Sequence, residues 1–289
     1  MKNCSVIFCK NVVYYKRKVP VSAEIGKEGD DNVAKIVAVA NQKGGVGKTT
    51  TAINLSACLA YKQRKVLLID LDPQGNSTTG LGIDKRSTKV SIYDSIINGM
   101  PIKDVMIQSC QDNLKICPAS MSLAGAEVEL VSQISRETRL IDAIEQVEAE
   151  FDYIFIDCPP SLGLLTLNAL TAASTVLVPI QCEYFALEGL SQLMETIKIV
   201  QKRLNPKLKV EGVVLTMFDA RTNLSIEVAE EVRKHFSNRV YQTLVPRNVK
   251  LSEAPSYGLP IIMYDPSSKG AQAYLDLADE FISVSETNI

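Results

Sequence analysis

A glycine-rich run at residues 43–49 carries the residue types that bind phosphate groups. It reads Lys-Gly-Gly-Val-Gly-Lys-Thr, follows an apolar run at 36–40 and precedes a helical pattern at 50–61. Glycines let backbone N–H groups and a helix N-terminus face phosphate oxygens, while Lys48 can reach the β and γ phosphates and Thr49 can bind Mg²⁺. A turn that binds nothing is the alternative, which the agreement of strand, loop and helix disfavours. The run predicts a nucleotide phosphate site, as a P-loop variant without the pattern's first glycine.

Acidic residues follow two further apolar runs, at 66–69 and 153–156. Asp70 and Asp72 come after the first run, and Asp157 comes directly after the second. Because ligands of parallel α/β sheets gather at the carboxyl ends of the strands, we expect these carboxylates near the phosphates. Asp157 is a candidate Mg²⁺ ligand, directly or through water, and Asp72 is a candidate for metal binding and for orienting an attacking water. Asp70 is a candidate structural neighbour, since a carboxylate there can simply cap the loop.

The elements that must position these residues are visible in the hydrophobic pattern. Short β-branched runs predict buried strands at 36–40, 66–69, 153–156, 175–179 and 210–217. Helical patterns lie at 50–61, 136–150, 164–173, 187–204, 225–236 and 271–282. This alternation predicts an α/β fold, with a single P-loop NTPase domain over residues 34–289 that has a mostly parallel twisted sheet and helices on both faces. Residues 1–33 show no sustained periodicity and are predicted to form an irregular N-terminal extension.

Composition argues against several other classes of protein. The 289 residues carry a net charge of −2 and are 46% hydrophobic, which is typical of a globular protein and not of a uniformly basic DNA-coating protein. Seven cysteines without a dense framework favour reduced thiols in the cytoplasm. The single histidine, His235, excludes a histidine-based triad or a multi-histidine zinc site within one chain. Prolines and polar residues interrupt the uncharged stretch 158–182, so we interpret it as loop, helix and buried strand and not as a membrane span.

Five collinear motifs resemble those of the ParA/Soj chromosome-partitioning ATPases, which have a deviant Walker A loop. They are Ala-Asn-Gln-Lys-Gly-Gly-Val-Gly-Lys-Thr-Thr-Thr at 40–51, Asp-Leu-Asp-Pro-Gln-Gly-Asn at 70–76, Asp-Cys-Pro-Pro-Ser-Leu-Gly at 157–163, Gln-Cys-Glu-Tyr-Phe-Ala-Leu-Glu-Gly-Leu at 181–190, and Pro-Arg-Asn-Val-Lys-Leu-Ser-Glu-Ala-Pro at 246–255. The resemblance runs from about Lys35 to the C-terminal helix. Five motifs in order are far more specific than a single phosphate loop.

The resemblance implies an ATP-dependent switch. Mg·ATP would join two copies in a sandwich homodimer in which Lys43 contacts the partner's phosphates, and Lys43, Lys48 and Asp72 would serve slow hydrolysis. A ParB-type centromere-binding partner would stimulate hydrolysis and release DNA, in a cytoplasmic protein associated with the nucleoid. The nucleotide-binding residues implied are Lys43, Gly44, Gly45, Val46, Gly47, Lys48, Thr49, Thr50, Pro246, Arg247 and Asn248, and the metal-binding residues are Thr49, Asp72 and Asp157.

The distribution of charge allows DNA binding despite the near-neutral total. Residues 201–250 contain ten basic and five acidic residues, whereas residues 251–289 contain one basic and six acidic residues. The resemblance implies sequence-independent contacts of Arg221 and Lys250 with double-stranded DNA. Relatives commonly have arginine at the second position, so Lys250 keeps the charge but loses the bidentate fork. Ordinary solvated charges explain the other basic residues equally well when each is taken singly.

Three other functions are alternatives to partitioning. A MinD-like membrane-associated ATPase for division-site placement shares the nucleotide core but needs a basic amphipathic C-terminal helix, whereas this C-terminal end is acidic. An iron–sulfur cluster carrier needs paired cysteine ligands, whereas Cys158 and Cys182 are isolated. A phosphotransferase acting on a small metabolite remains chemically open, although no acceptor-binding signature supports it.

Overall fold

The computed structural model describes residues 6–9, 12–15, 33–183, 186–236 and 239–287. The chain divides into two compact units, Met1–Asn32 and Val33–Ile289. In the first unit, β1 (Val6–Cys9) and β2 (Val12–Tyr15) pair as an antiparallel hairpin. These eight residues are therefore strand where the sequence predicts irregular chain. The prediction for the other residues up to 32 lies outside the described residues.

The second unit contains an eight-stranded sheet. Its strands in chain order are β3 (Lys35–Val39), β4 (Val66–Asp70), β5 (Ile107–Gln108), β6 (Leu114–Cys117), β7 (Tyr153–Asp157), β8 (Thr175–Gln181), β9 (Lys209–Phe218) and β10 (Val240–Pro246). In space the order is β10-β9-β8-β3-β7-β4-β6-β5, and every neighbouring pair is parallel except β5 with β6. The predicted mostly parallel sheet is confirmed.

Helices cover both faces of this sheet. Their bounds are α1 (Lys48–Tyr61), α2 (Asn76–Gly80), α3 (Ile92–Asn98), α4 (Ile102–Val105), α5 (Leu123–Val131), α6 (Arg139–Ile144), α7 (Leu164–Ala172), α8 (Ala186–Arg203), α9 (Asn223–Phe236), α10 (Val249–Glu253), α11 (Ile261–Tyr264) and α12 (Lys269–Thr287). Short 3₁₀ turns lie at Glu148–Glu150 and Ala254–Tyr257. Among the described helices, none is long and apolar enough to cross a membrane.

Alternate residues of the central strands supply two separate hydrophobic cores. On β3, Ile36 and Ala38 face one core, whereas Val37 and Val39 face the other. The second core also contains buried residues of α1 and α12, and helices α3 to α9 contribute to the first. Burial on both faces explains why the strands read as continuous apolar runs in the sequence.

The strand register brings the motif residues to one end of the sheet. Val39, the last residue of β3, is paired with Asp157 at the end of β7, and Asp157 is paired with Asp70 at the end of β4. The glycine-rich run starts just beyond β3 and leads into α1. Because parallel strands end at the same edge, residues far apart in the sequence meet there.

The C-terminal helix is tied to strand β10 by one side chain. The Glu280 carboxylate accepts the backbone N–H groups of Gln242 at 2.6 Å and Thr243 at 2.9 Å, and the Thr243 hydroxyl at 2.7 Å. Both residues lie in the segment where the register of β10 on β9 shifts, between Val240 and Leu244. The contact fixes α12 beside the sheet.

One predicted helix is wrong in extent. The segment 136–150 forms only α6 and the 3₁₀ turn Glu148–Glu150, with turns between them. At its start, Asn168 of α7 accepts the Leu140 N–H at 3.2 Å and donates to the Arg136 carbonyl at 2.8 Å, and these two groups would otherwise pair with each other in a helix. These bonds hold the start of the segment in a turn that the helical pattern does not reveal.

Candidate nucleotide site

The glycine-rich loop between β3 and α1 has a backbone that glycine makes possible. Gly45 and Gly47 have φ values of +76° and +86°, in the left-handed region that other residues rarely adopt. Gly47 is the N-cap of α1, so the free N–H groups of the first helical turn follow directly. Around Gly44 and Gly45, no atom among the described residues lies within 4 Å of an added Cβ. The loop therefore faces open space, as an anion-binding loop must.

Two buried side chains brace this loop from neighbouring strands. Asn41 accepts the Lys43 N–H at 3.0 Å and donates to the Pro179 carbonyl on β8 at 2.8 Å. Thr216 on β9 donates its hydroxyl to the Val46 carbonyl at 2.8 Å. The sequence interpretation missed both roles. Asn41 lies inside the first motif, but nothing in the spacing of the sequence points to Thr216.

Lys48 is held beneath the loop and is only 7% exposed. Its Nζ donates to the Lys43 carbonyl at 3.2 Å. Burial lowers the pKa of Lys48, and the nearby carboxylates of Asp157 and Asp72 oppose this by raising it. The lysine thus lies close to two carboxylates at the edge where phosphates are expected.

Asp157 is completely buried at the end of β7, and its two oxygens differ. Oδ2 accepts the Ser77 hydroxyl at 2.8 Å, whereas Oδ1 has no hydrogen-bond partner among the described residues. Burial raises the pKa of Asp157 to about 6, although the Thr49 and Ser77 hydroxyls lower it. A buried carboxylate oxygen without a hydrogen-bond partner destabilises the fold unless a bound ion or water contacts that oxygen.

A divalent cation fits this arrangement. Mg²⁺ prefers oxygen ligands and is commonly held by one or two carboxylates together with substrate phosphates and water. The unpartnered Asp157 Oδ1 and the neighbouring Thr49 hydroxyl supply two such oxygens. In the described part of the chain, no group of three or more His, Cys, Asp or Glu residues is placed to hold a metal ion.

The two other carboxylates of the site stabilise the turn after β4. Asp70 is fully buried and accepts both the N–H and the hydroxyl of Thr78, at 2.7 and 2.6 Å. Burial and the neighbouring Asp157 raise the pKa of Asp70, whereas Thr78 lowers it. Asp72 is 7% exposed, and its Oδ1 accepts the Gln74 N–H at 2.9 Å. The bonds of Asp70 are those of a structural residue, while Asp72 lies near enough to Lys48 to interact with its charge.

A cavity of about 440 Å³ adjoins the loop. Its walls come from the loop and α1, from the ends of β9 and β10, and from the segment after β10, and they include Gly47, Thr50, Thr216, Pro246, Arg247, Asn248, Leu251, Ser252, Pro255 and Tyr274. The structure thus brings the predicted residues 246–248 against the glycine-rich loop. Tyr274 of α12, which the sequence interpretation missed, is buried, and its hydroxyl lies 3.2 Å from that of Thr51.

The two predicted DNA-contacting residues do not line the cavity. Arg221 is paired with Asp219 through two hydrogen bonds of 2.8 and 2.6 Å, and its side chain is 87% exposed. Lys250 is paired with Glu253 at 2.9 Å. Both residues are therefore at the surface, each beside a carboxylate.

Comparison with known proteins gives several extensive matches. The family model of an AAA domain matches residues 34–210. The sporulation initiation inhibitor protein Soj of Bacillus subtilis (strain 168) is 60% identical over 248 residues, which cover 86% of this chain and 98% of that protein. The chromosome partitioning protein ParA of Myxococcus xanthus (strain DK1622) is 55% identical over 257 residues, which cover 89% of this chain and 91% of that protein.

Solved structures have the same fold. Cobyrinic acid a,c-diamide synthase from Mycobacterium smegmatis, with bound ATP analog and magnesium, matches with a TM-score of 0.79 at 38% identity, covering 89% of this chain and 98% of that one. The cell division ATPase MinD of Pyrococcus furiosus matches with a TM-score of 0.72 at 28% identity, covering 87% of this chain and 99% of that one. The second match is the more distant in sequence.

Proposed function

The chain belongs to the ParA/Soj family of chromosome-partitioning P-loop ATPases, and we propose that it is a switch that binds DNA in its Mg·ATP state and releases it after hydrolysis. One observation carries the proposal: the phosphate loop, the unpartnered oxygen of Asp157 and the cavity at 246–248 meet at one edge of the sheet. The match to Soj over 98% of that protein supports the partitioning role. The M. smegmatis structure with an ATP analog and magnesium supports the choice of ligands.

The residues of the site divide the chemistry among them. The N–H groups of the loop and the Lys48 ammonium hold the phosphates, and Thr49 and Asp157 hold Mg²⁺, which neutralises phosphate charge when bound. Asp72 positions the water for in-line attack on the γ phosphate and borders the metal site. Pro246, Arg247 and Asn248 contact the base and ribose side of the nucleotide in the cavity.

Lys43 acts on the nucleotide of a second copy. Its backbone is fixed from both sides, since Asn41 accepts its N–H and its carbonyl accepts a hydrogen bond from Lys48. The adjoining Gly44 and Gly45 are exposed, so a partner chain can approach this side of the loop. There the lysine adds positive charge against the partner's phosphates, so ATP bound in each copy favours the homodimer.

DNA binds at a surface that includes Arg221 and Lys250. Both side chains are accessible, and the region 201–250 carries a charge of +5, from ten basic and five acidic residues. Phosphate contacts of this kind are independent of DNA sequence. The protein is accordingly cytoplasmic and associated with the nucleoid, and a ParB-type centromere-binding protein stimulates hydrolysis.

Co-sedimentation with DNA and with lipid vesicles tests the proposal against the MinD-like alternative. The full chain is mixed with random-sequence duplex DNA or anionic vesicles, each with Mg·ATP, Mg·ADP or no nucleotide. We expect sedimentation with DNA in Mg·ATP alone and none with vesicles, because α12 carries Asp276, Asp279 and Glu280 against a single basic residue, Lys269. Vesicle binding without DNA binding would instead identify the membrane-associated class. The matched control is Lys48→Ala, which removes the phosphate contact. This variant should not sediment with DNA in Mg·ATP.

A further inference from the structure

Lys250 at the surface is paired with the Glu253 carboxylate, which in turn accepts a hydrogen bond from Tyr264. Its Nζ lies 2.9 Å from Glu253 Oε2, and the Tyr264 hydroxyl donates to the same oxygen at 2.9 Å. The Lys250 Nζ also lies 5.7 Å from the centre of the Tyr264 ring. The Tyr264 ring in turn packs against that of Tyr257, with ring centres 4.9 Å apart and planes tilted by 32°. We call Lys250, Glu253 and Tyr264 the lysine clamp.

The electrostatics of the lysine clamp agree with its geometry. The hydrogen bonds from Lys250 and then Tyr264 lower the pKa of Glu253. The bond to Glu253 raises the pKa of Tyr264 to about 12, so the tyrosine is a neutral hydroxyl donor at physiological pH. Glu253 is therefore ionised and fixed in place beside Lys250, although both side chains remain accessible, at 38% and 46% exposure.

This clamp differs from the pairing of the other predicted DNA contact. Arg221 is bound by Asp219, two residues away, and the Asp219 carboxylate also accepts the Arg221 backbone N–H at 3.0 Å. The donors recorded for this carboxylate among the described residues therefore belong to the residue with which it pairs. In the clamp, by contrast, Tyr264 comes from α11 and orients Glu253 across eleven residues of sequence. A carboxylate oriented in advance loses less entropy on pairing, so it competes better with a DNA phosphate.

The clamp lies on the same short helix as part of the nucleotide cavity. Leu251 and Ser252 of α10, and Pro255 just after it, line the cavity, whereas Lys250 and Glu253 do not. Positions three apart share one face of a helix, so Lys250 and Glu253 lie together on the side away from the cavity. One helix thus lines the cavity with one face and carries the clamp on the other.

We propose that Glu253, oriented by Tyr264, competes with DNA phosphate for Lys250 and thereby sets how tightly the protein binds DNA. The inference rests on the proposed DNA-binding function and adds two affinity-determining residues to it. A phosphate that binds Lys250 must displace the Glu253 carboxylate. Loss of the Lys250–Glu253 ion pair makes the free energy of DNA binding less favourable. Removing the carboxylate therefore strengthens DNA binding, which is opposite to the effect of removing the lysine.

The primary test compares Glu253→Gln with Asp265→Asn. Affinity for a random-sequence duplex is measured by fluorescence anisotropy with Mg·ATP at several salt concentrations, and light scattering verifies that the dimer fraction is unchanged. We expect Glu253→Gln to bind about 2- to 5-fold more tightly, the range for releasing one exposed ion pair, with the gain shrinking as salt screens the pair. Asp265 interacts with Lys250 through space, without a hydrogen bond to it, and so Asp265→Asn removes an equal nearby charge without opening the clamp. Equal gains in the two variants would overturn the proposal.

Two further variants locate the effect on Lys250 itself. Tyr264→Phe removes the hydroxyl donor without a change of charge, and we expect a gain smaller than that of Glu253→Gln; an unchanged affinity would remove Tyr264 from the clamp. In a Lys250→Ala background, Glu253→Gln should no longer strengthen DNA binding, and a gain in affinity that persists there would refute the competition.

If Lys250→Ala leaves DNA affinity unchanged, the proposed DNA surface is wrong. If Lys250→Ala weakens binding while Glu253→Gln has no effect, the surface stands and only the clamp fails.

Discussion

Asp157→Asn should stabilise the metal-free protein while impairing its function. The carboxylate is completely buried, and Oδ1 has no hydrogen-bond partner among the described residues. Burial raises its pKa from 3.8 to about 6, so the folded protein holds this proton more tightly than the unfolded chain does. Stability is therefore lost as the pH rises from the unfolded value through the folded one, and above pH 6 the full cost of the buried charge is present. Asparagine keeps the shape and can still accept from Ser77, but it carries no charge.

The magnitude follows from the two pKa values. The difference between 3.8 and about 6 corresponds to a free energy on the order of 3 kcal/mol, at about 1.4 kcal/mol per pKa unit. At pH 8 we expect Asp157→Asn to raise the free energy of unfolding by up to about 3 kcal/mol in EDTA. At pH 5, between the two pKa values, the gain should fall to about half of that. The same substitution replaces the oxygen that we assign to Mg²⁺ by an amide.

Urea unfolding with and without nucleotide measures both effects. In EDTA the variant should have the higher midpoint, whereas Mg·ATP at 100 times its dissociation constant should add about 2.7 kcal/mol to the wild type and much less to the variant. The difference between the urea midpoints of the two proteins should therefore become smaller, or change sign, when Mg·ATP is added. Asp104→Asn, at an exposed position on α4, is the matched control for loss of one charge.

Two results would refute this reasoning. A variant that is less stable than the wild type in EDTA at pH 8 would mean that the buried charge is already compensated in the folded protein. A variant that keeps the full stabilisation by Mg·ATP would show that Asp157 does not hold the metal. The Asp104→Asn control should change neither quantity, since its side chain is exposed.

Three further substitutions test separate parts of the site. Asp72→Ala should keep ATP binding and lose hydrolysis, trapping the DNA-binding dimer, and wild-type phosphate release in a single-turnover assay would remove its assigned role. Lys250→Ala should weaken binding to all DNA sequences and reduce the slope of log affinity against log salt by about one, so an unchanged slope contradicts the phosphate contact. Thr216→Val should lower the free energy of unfolding by about 1 kcal/mol and weaken ATP binding, because the buried bond to the Val46 carbonyl is lost, and equal urea midpoints would show that the brace is unimportant.

The parts of the site that lie within one strand, loop and helix could be predicted from the sequence. The run at 43–49 is local, and its glycines, Lys48 and Thr49 fall where the motif requires them. The predicted strands are all present within two residues of their expected ends, because burial on both faces produces continuous apolar runs. The strands β5, β6 and β10 were not predicted, although β10 carries the cavity wall at Pro246.

The parts that could not be predicted depend on contacts between distant residues. Ser77 meets Asp157 across 80 positions of sequence, and Thr216 meets Val46 across 170. Tyr274 reaches the cavity only because α12 packs beside α1. Hydrophobic periodicity specifies which face of an element is buried, but it does not specify which neighbour that face will meet. The resemblance to the ParA/Soj family predicted residues 246–248 as nucleotide contacts. The roles of Asn41 and Thr216 in bracing the loop are visible only in the folded chain.

The Glu280 carboxylate has a consequence for how copies of this protein can associate. The outermost strand of a sheet normally presents unpaired N–H groups that can recruit a strand from another molecule and start aggregation. Here β10 is such an outer strand, and Glu280 occupies two of its N–H groups at the site of its register shift. The opposite outer strand, β5, is only two residues long. Strand pairing between molecules is therefore disfavoured at both edges of the sheet. Two copies of the protein should associate through surfaces formed by loops and helices.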